Sequence, residues 1–152
     1  MEKTLATLEA LQAEAAAFVT SLTPRSDRAT LVTLSGELGA GKTSFTQGVA
    51  RALSVNEHVT SPTFVLEKIY ALPNEGGRSF TRLAHLDAYR LEGANALAPL
   101  GFSELMQDAA TLVVVEWPEK VADALPEADY ALTLTVNPDT SRSLIYTPAY
   151  AS

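Results

Sequence analysis

Residues 36–43, Gly36-Glu37-Leu38-Gly39-Ala40-Gly41-Lys42-Thr43, match G-x-x-x-x-G-K-[ST] at every fixed position. The glycines let the backbone curl so that successive N–H groups point into one concavity, and the free N-terminus of a following helix adds a dipole that favours an anion. Nucleotide phosphates are the ligand such a loop suits. Lys42 is then placed to bridge the β- and γ-phosphates, and the Thr43 hydroxyl to hold Mg²⁺. The same residues also read as a glycine-rich strand-to-helix turn with no ligand, but the fixed positions together with the flanking elements make accidental agreement rare.

A phosphate loop needs a strand before it, a helix after it, and an acidic residue ending a neighbouring strand. Thr30–Ser35, rich in β-branched and aliphatic residues, reads as the strand, and the helix runs to about Leu53. Upstream, Leu5, Leu8, Leu11, Ala15, Phe18 and Leu22 recur in steps of three and four, which predicts a helix over Thr4–Leu22. Thr111–Glu116 (TLVVVE) has the near-continuous apolar pattern of a central strand, and Phe80–Asp87 reads as another. Each ends in an acid suited to Mg²⁺, Glu116 or Asp87, although either carboxylate can instead cap a following helix.

Thr60–Tyr70 carries β-formers interrupted by Pro62, Leu72–Arg78 reads as a hairpin connection, and Leu97–Met106 contains short helical pieces. Tyr130–Val136 and Ser143–Tyr146 complete the strands. With no repeat, low-complexity tract or linker, residues 1–152 read as one domain.

Further functional side chains cluster outside the loop. Thr60, Ser61 and Thr63 can reach Mg²⁺ or a γ-phosphate as a GTPase switch does, or serve an ordinary hydroxyl-rich turn. His85, Asp87, Tyr89 and Arg90 fall within a short stretch at a strand end. Taken singly, His85 reads as a half-buried strand residue, Tyr89 and Trp117 as core aromatics, and Arg90 as a solvated or ion-paired group.

Composition limits the function. The chain has 152 residues, 47% of them apolar, with 11 basic and 18 acidic residues and a net charge of −7, so direct binding to nucleic acid is disfavoured. Residues 91–152 hold only Lys120 and Arg142 as basic residues, so the net charge lies in that part and no arginine-rich phosphotransfer lid is visible. Absence of cysteine removes disulfides, thiolate catalysis and Cys-type metal sites, and two histidines are too few for a zinc site built on imidazole. No apolar run is long enough to span a bilayer, so a cytoplasmic location is the expectation. The N-K-x-D pattern that reads guanine is absent, which favours adenine.

Taken together, GELGAGKT at 36–43, SPTF at 61–64, HLDAYRL at 85–91, LGFSEL at 100–105 and VEWPEK at 115–120 resemble the TsaE (YjeE) family, small P-loop ATPases of bacterial tRNA threonylcarbamoyladenosine biosynthesis. The resemblance implies a P-loop NTPase-like α/β fold, a three-layer arrangement of a mixed central sheet with helices on both faces, and a site for ATP and Mg²⁺. By matching motif positions, it implies that Lys42 contacts phosphate, that Thr43 and Glu116 are metal ligands, and that Asp87 is needed for hydrolysis. It also brings Trp117 into the site region, makes Thr63 a switch-like contact, and sets Thr4 and Arg142 beside the adenine pocket. Its implied partners are TsaB and TsaD, with TsaD transferring the threonylcarbamoyl group to tRNA adenosine 37 and the ATPase resetting the pair. tRNA is then reached only through the complex. Glu37 departs from the Asp more usual in the family, and Leu86 and Ala88 vary within the histidine motif, none of them a proposed ligand side chain. Two other readings of the loop are a small-molecule kinase and a nucleotide-dependent assembly switch with incidental hydrolysis.

Overall fold

Two runs rich in β-branched and aliphatic residues, TLVTLS and TLVVVE, form adjacent parallel strands whose residues are almost all buried, as expected of strands covered on both faces. The computed structural model describes residues 2–55, 67–73, 80–91 and 93–148. Its elements are, in order, β1 (Glu2–Leu5), α1 (Leu8–Thr20), β2 (Thr30–Ser35), α2 (Lys42–Ala52), β3 (Glu67–Ala71), β4 (Arg82–Asp87), α3 (Phe102–Met106), β5 (Thr111–Glu116), β6 (Tyr130–Val136) and β7 (Arg142–Thr147). Segments of 3-10 helix cover Ala94–Leu100 and Pro118–Ala124.

Among the described residues the sheet has seven strands in the order β1-β7-β6-β2-β5-β4-β3. The four central strands, β6, β2, β5 and β4, run parallel, and β1, β7 and β3 pair antiparallel at the flanks. The sheet is therefore mixed, and strand alternation divides its residues between two cores. Val32, Leu34, Leu83, Leu112 and Val114 pack under α1 and α2 with Phe18, Phe45 and Val49. Leu31, Ala84, Leu86, Val113 and Val115 pack on the opposite side with Leu97, Phe102, Leu105 and Val121, so helices cover both faces. None of the described helices is long and apolar enough to cross a membrane.

One helix starts later than its periodicity predicts. Residues 2–5 form β1, paired with β7 through Lys3↔Leu144 and Thr4↔Ser143, and Thr7 caps α1 by accepting the Ala10 N–H at 3.0 Å. Leu5 suits either pattern, since it packs beside the core from a strand as well as it would from a helix. At the other end, Ser21 donates its N–H back to Phe18 O at 3.0 Å and closes the helix at Thr20, before Leu22. The predicted strand Thr60–Tyr70 is described only from Glu67, and most of the predicted hairpin connection, residues 74–79, lies outside the described residues.

Parallel packing has a direct consequence for function. The C-terminal ends of β2, β5 and β4 open on the same edge of the sheet, where ligands bind in open α/β folds.

Candidate functional site

At that edge, β2 ends in Ser35 and the chain turns through residues 36–41 into α2, whose first residue is Lys42. Glycine is required twice in this turn. Gly41 caps α2 at φ +110°, and a Cβ there would lie 2.7 Å from Leu11 Cδ2; at Gly36 a Cβ would lie 2.7 Å from the carbonyl oxygen of Leu134. These contacts press the loop against α1 and β6. Arg142, reaching across from β7, donates to the carbonyls of Ala40 at 3.3 Å and Gly39 at 3.4 Å and pins the loop from its other side.

Lys42 is 5% exposed. Its ammonium donates to the carbonyls of Gly36 and Glu37, and it lies 4.1 Å from the centroid of the Trp117 ring, over its face. Burial pushes its pKa below the usual lysine range, and the carboxylates of Glu116, Asp87 and Glu119 pull in the opposite direction. A cation held among loop carbonyls at a helix N-terminus is placed to meet phosphate oxygens.

Asp87 and Glu116 are register partners at the ends of β4 and β5, and both are buried. Asp87 accepts the Tyr89 N–H at 3.0 Å, so its carboxylate also caps the turn after β4. Glu116 is hydrogen-bonded to Nε2 of His85, which is wholly buried rather than half-buried. Trp117 takes left-handed backbone angles, φ 59° and ψ 50°, and donates its N–H to Leu34 O at 3.1 Å. The indole is thereby turned over the loop, with the Tyr89 ring 4.9 Å away.

A cleft of about 380 Å³ results, with Lys42, Thr43, Asp87, Glu116, Trp117 and Arg142 in its wall. Leu38, Gly39 and Gly41 add loop surface to it, and Leu38 is 71% exposed. Gly36, Glu37 and Ala40 belong to the loop's curl rather than to that wall. Thr4, on β1, is exposed and not in the wall, where α1 contributes Leu8 instead. Thr63, with the SPTF segment, lies outside the described residues.

Sequence reasoning missed Leu8 and Ser44 as wall residues, and of its two readings of Tyr89, functional side chain or core aromatic, the exposure of 40% in the cleft disfavours the core one. The available signal for His85 was its i, i+2 relation to Asp87, which sets both on one face of a strand.

The loop could hold a nucleotide's phosphates, and Asp87 and Glu116, which share the cleft wall with Thr43, could hold a hard cation, since Mg²⁺ takes one or two carboxylates and completes its shell with water and phosphate. Comparison with known proteins gives the lineage. The family model described as "Threonylcarbamoyl adenosine biosynthesis protein TsaE" matches residues 5–144. The chain belongs to the TsaE family. A tRNA threonylcarbamoyladenosine biosynthesis protein TsaE of Treponema pallidum (strain Nichols) is 36% identical over 118 residues, covering 78% of this chain and 82% of that protein. Its namesake in Bacillus subtilis (strain 168) is 34% identical over 117 residues, covering 77% and 68%. The TsaE of Streptomyces coelicolor reaches 42% over 98 residues, covering 64% and 62%. The crystal structure of YdiB from Bacillus subtilis superposes with a TM-score of 0.72 at 26% identity, over 96% of this chain and 83% of that one. TsaE membership assigns the chain to the biosynthesis of threonylcarbamoyladenosine in tRNA.

Proposed function

We propose that the protein binds and hydrolyses ATP with Mg²⁺, and that it acts on a TsaB–TsaD pair rather than transferring the threonylcarbamoyl group itself. The observation that carries this reading is the buried Lys42 ammonium at the start of α2, in one cleft with Thr43, Asp87 and Glu116. Lys42 exchanges its loop carbonyls for phosphate oxygens, and the backbone N–H groups of residues 36–43 share the anionic charge. Thr43 and Glu116 would hold the metal, which would supply neutralisation of charge developing on the phosphate oxygens. Asp87, oriented by the Tyr89 N–H, serves hydrolysis by positioning the attacking water or by coupling turnover to a switch. Trp117 and Tyr89 form an aromatic wall beside the loop.

Acidic composition supports a role exerted through protein partners, because a subunit that reaches tRNA only through its complex needs no basic face of its own. The test is phosphate release from ATP by the protein alone and with its cognate TsaB and TsaD. Partner-stimulated release is expected. Lys42→Ala should lose nucleotide affinity by about tenfold or more, and Asp87→Ala should lower turnover about a hundredfold while changing ATP affinity little. Wild-type turnover in the Asp87 variant would remove that assignment. A phosphorylated metabolite in place of free phosphate would replace the reading with a kinase, and binding without stimulated hydrolysis would replace it with an assembly switch.

A further inference from the structure

Strand β4 places an imidazole where an aliphatic side chain would pack more cheaply. His85 lies on the same sheet face as Leu83 and Asp87, beside Val114 of β5, and is 0% exposed. Nε2 meets Oε2 of Glu116. An ionised carboxylate can only accept, so toward it Nε2 is the donor, and Nδ1 has no hydrogen-bond partner among the described residues. Burying an unsatisfied polar atom costs stability, which leucine at this position would avoid. What the ring offers here that leucine would not is the contact of Nε2 with Glu116.

We propose that His85 is a positioning residue for Glu116. Glutamate has a flexible stem, and among the described residues the hydrogen-bond partner of its carboxylate is His85, through Oε2. Donation from a ring fixed in the core holds the carboxylate in one orientation at the cleft wall and leaves Oε1 for a cation. Metal-binding carboxylates are commonly oriented by such outer partners. This inference rests on the reading of Thr43 and Glu116 as Mg²⁺ ligands and assigns to His85 the precision of that site.

The test uses the full chain with ATP. Manganese, as a spectroscopic stand-in for magnesium, is titrated into the protein–ATP complex and followed by electron paramagnetic resonance, and ATP affinity is measured by calorimetry in EDTA. The amide of His85→Gln falls near the position of Nε2, whereas that of His85→Asn falls short of it. The asparagine variant should bind Mn²⁺ about tenfold more weakly, with ATP affinity in EDTA changed by less than about twofold, and the glutamine variant should recover most of the loss. In a Glu116→Gln background the asparagine substitution should have no further effect on Mn²⁺. His85→Leu, which keeps the bulk and removes the donor, replaces the asparagine variant if that one shows no cooperative unfolding transition.

Unchanged Mn²⁺ affinity on loss of the donor, equal losses in both amide variants, or a parallel loss of ATP affinity in EDTA would each overturn the proposal. Wild-type Mn²⁺ affinity in Glu116→Gln alone would instead overturn the ligand assignment on which it stands. The two failures are thus distinguishable.

Discussion

Lys42 is a charge kept out of water before any ligand arrives, and this has a measurable consequence for pH dependence. Its folded pKa is depressed by burial below its usual 10.5, so between the two values the unfolded chain binds more protons than the folded one. The stability penalty from this group is complete below the folded pKa and vanishes as pH rises above the unfolded one. Wild type should therefore gain on Lys42→Met in urea unfolding as pH is raised toward and past the ordinary lysine value of 10.5, and a difference independent of pH would contradict the depressed value. Trp117 offers a second test at this scale. Its left-handed backbone disfavours any residue with a Cβ, so Trp117→Gly should be more stable than Trp117→Ala by about 1 kcal/mol, although both lose the ring's contacts with Lys42 and Tyr89. Equal denaturation midpoints for the two variants would refute backbone strain at this position.

Among the elements, the pair α1 and α2 sets the position of the phosphate loop, because α2 begins at Lys42 and packs along α1. The two helices approach closely at Gly48, where a Cβ would lie 2.6 Å from Gln12 O and 2.8 Å from Gln12 Cα. Backbone atoms cannot swing aside as a side chain does. Gly48→Ala gains about 1 kcal/mol of helix propensity but must separate the helices at a cost of about 1–3 kcal/mol. A net destabilisation of about 1 kcal/mol is expected in chemical denaturation, and a stabilised variant would show that the helices separate freely. The last strand contributes as well, since Arg142 of β7 holds the Ala40 and Gly39 carbonyls from more than a hundred residues away in sequence.

For the whole molecule, the uneven distribution of charge is the feature most relevant to partners. Glu104, Asp123 and Glu127 are exposed on α3, the 3-10 segment Pro118–Ala124 and the turn after it, on the side of the sheet away from α1 and α2. Asp108 stands apart from this set, because it is ion-paired with Arg82 at 2.9 Å and accepts the Ala110 N–H. If the acidic side meets a basic partner surface, reversing Glu104, Asp123 and Glu127 to lysine should weaken association with the proposed TsaB–TsaD partners and flatten its salt dependence. Titrations at two ionic strengths check this, and unchanged affinity and salt dependence would dismiss the acidic face as a docking element.

Much of this was legible locally. Thr30–Ser35, Thr111–Glu116 and Tyr130–Val136 coincide with the strands read from sequence, because short apolar or alternating runs bounded by turn residues encode strands without reference to distant partners. The glycine-rich turn into α2 was legible for a similar reason, since its glycines and lysine are covalent neighbours whose geometry is set over a few bonds. β1 was not, because Leu5 satisfies both periods and the choice was made by pairing with β7. The contacts of His85 with Glu116, Arg142 with the loop, and Lys42 with the Trp117 ring were also outside the reach of sequence. Sequence by itself thus determined the local elements, the loop and the charge. Only the tertiary structure decided strand order and the partners of the site residues, because these follow from burying both faces of one sheet at once, a condition on the whole chain rather than on any segment of it.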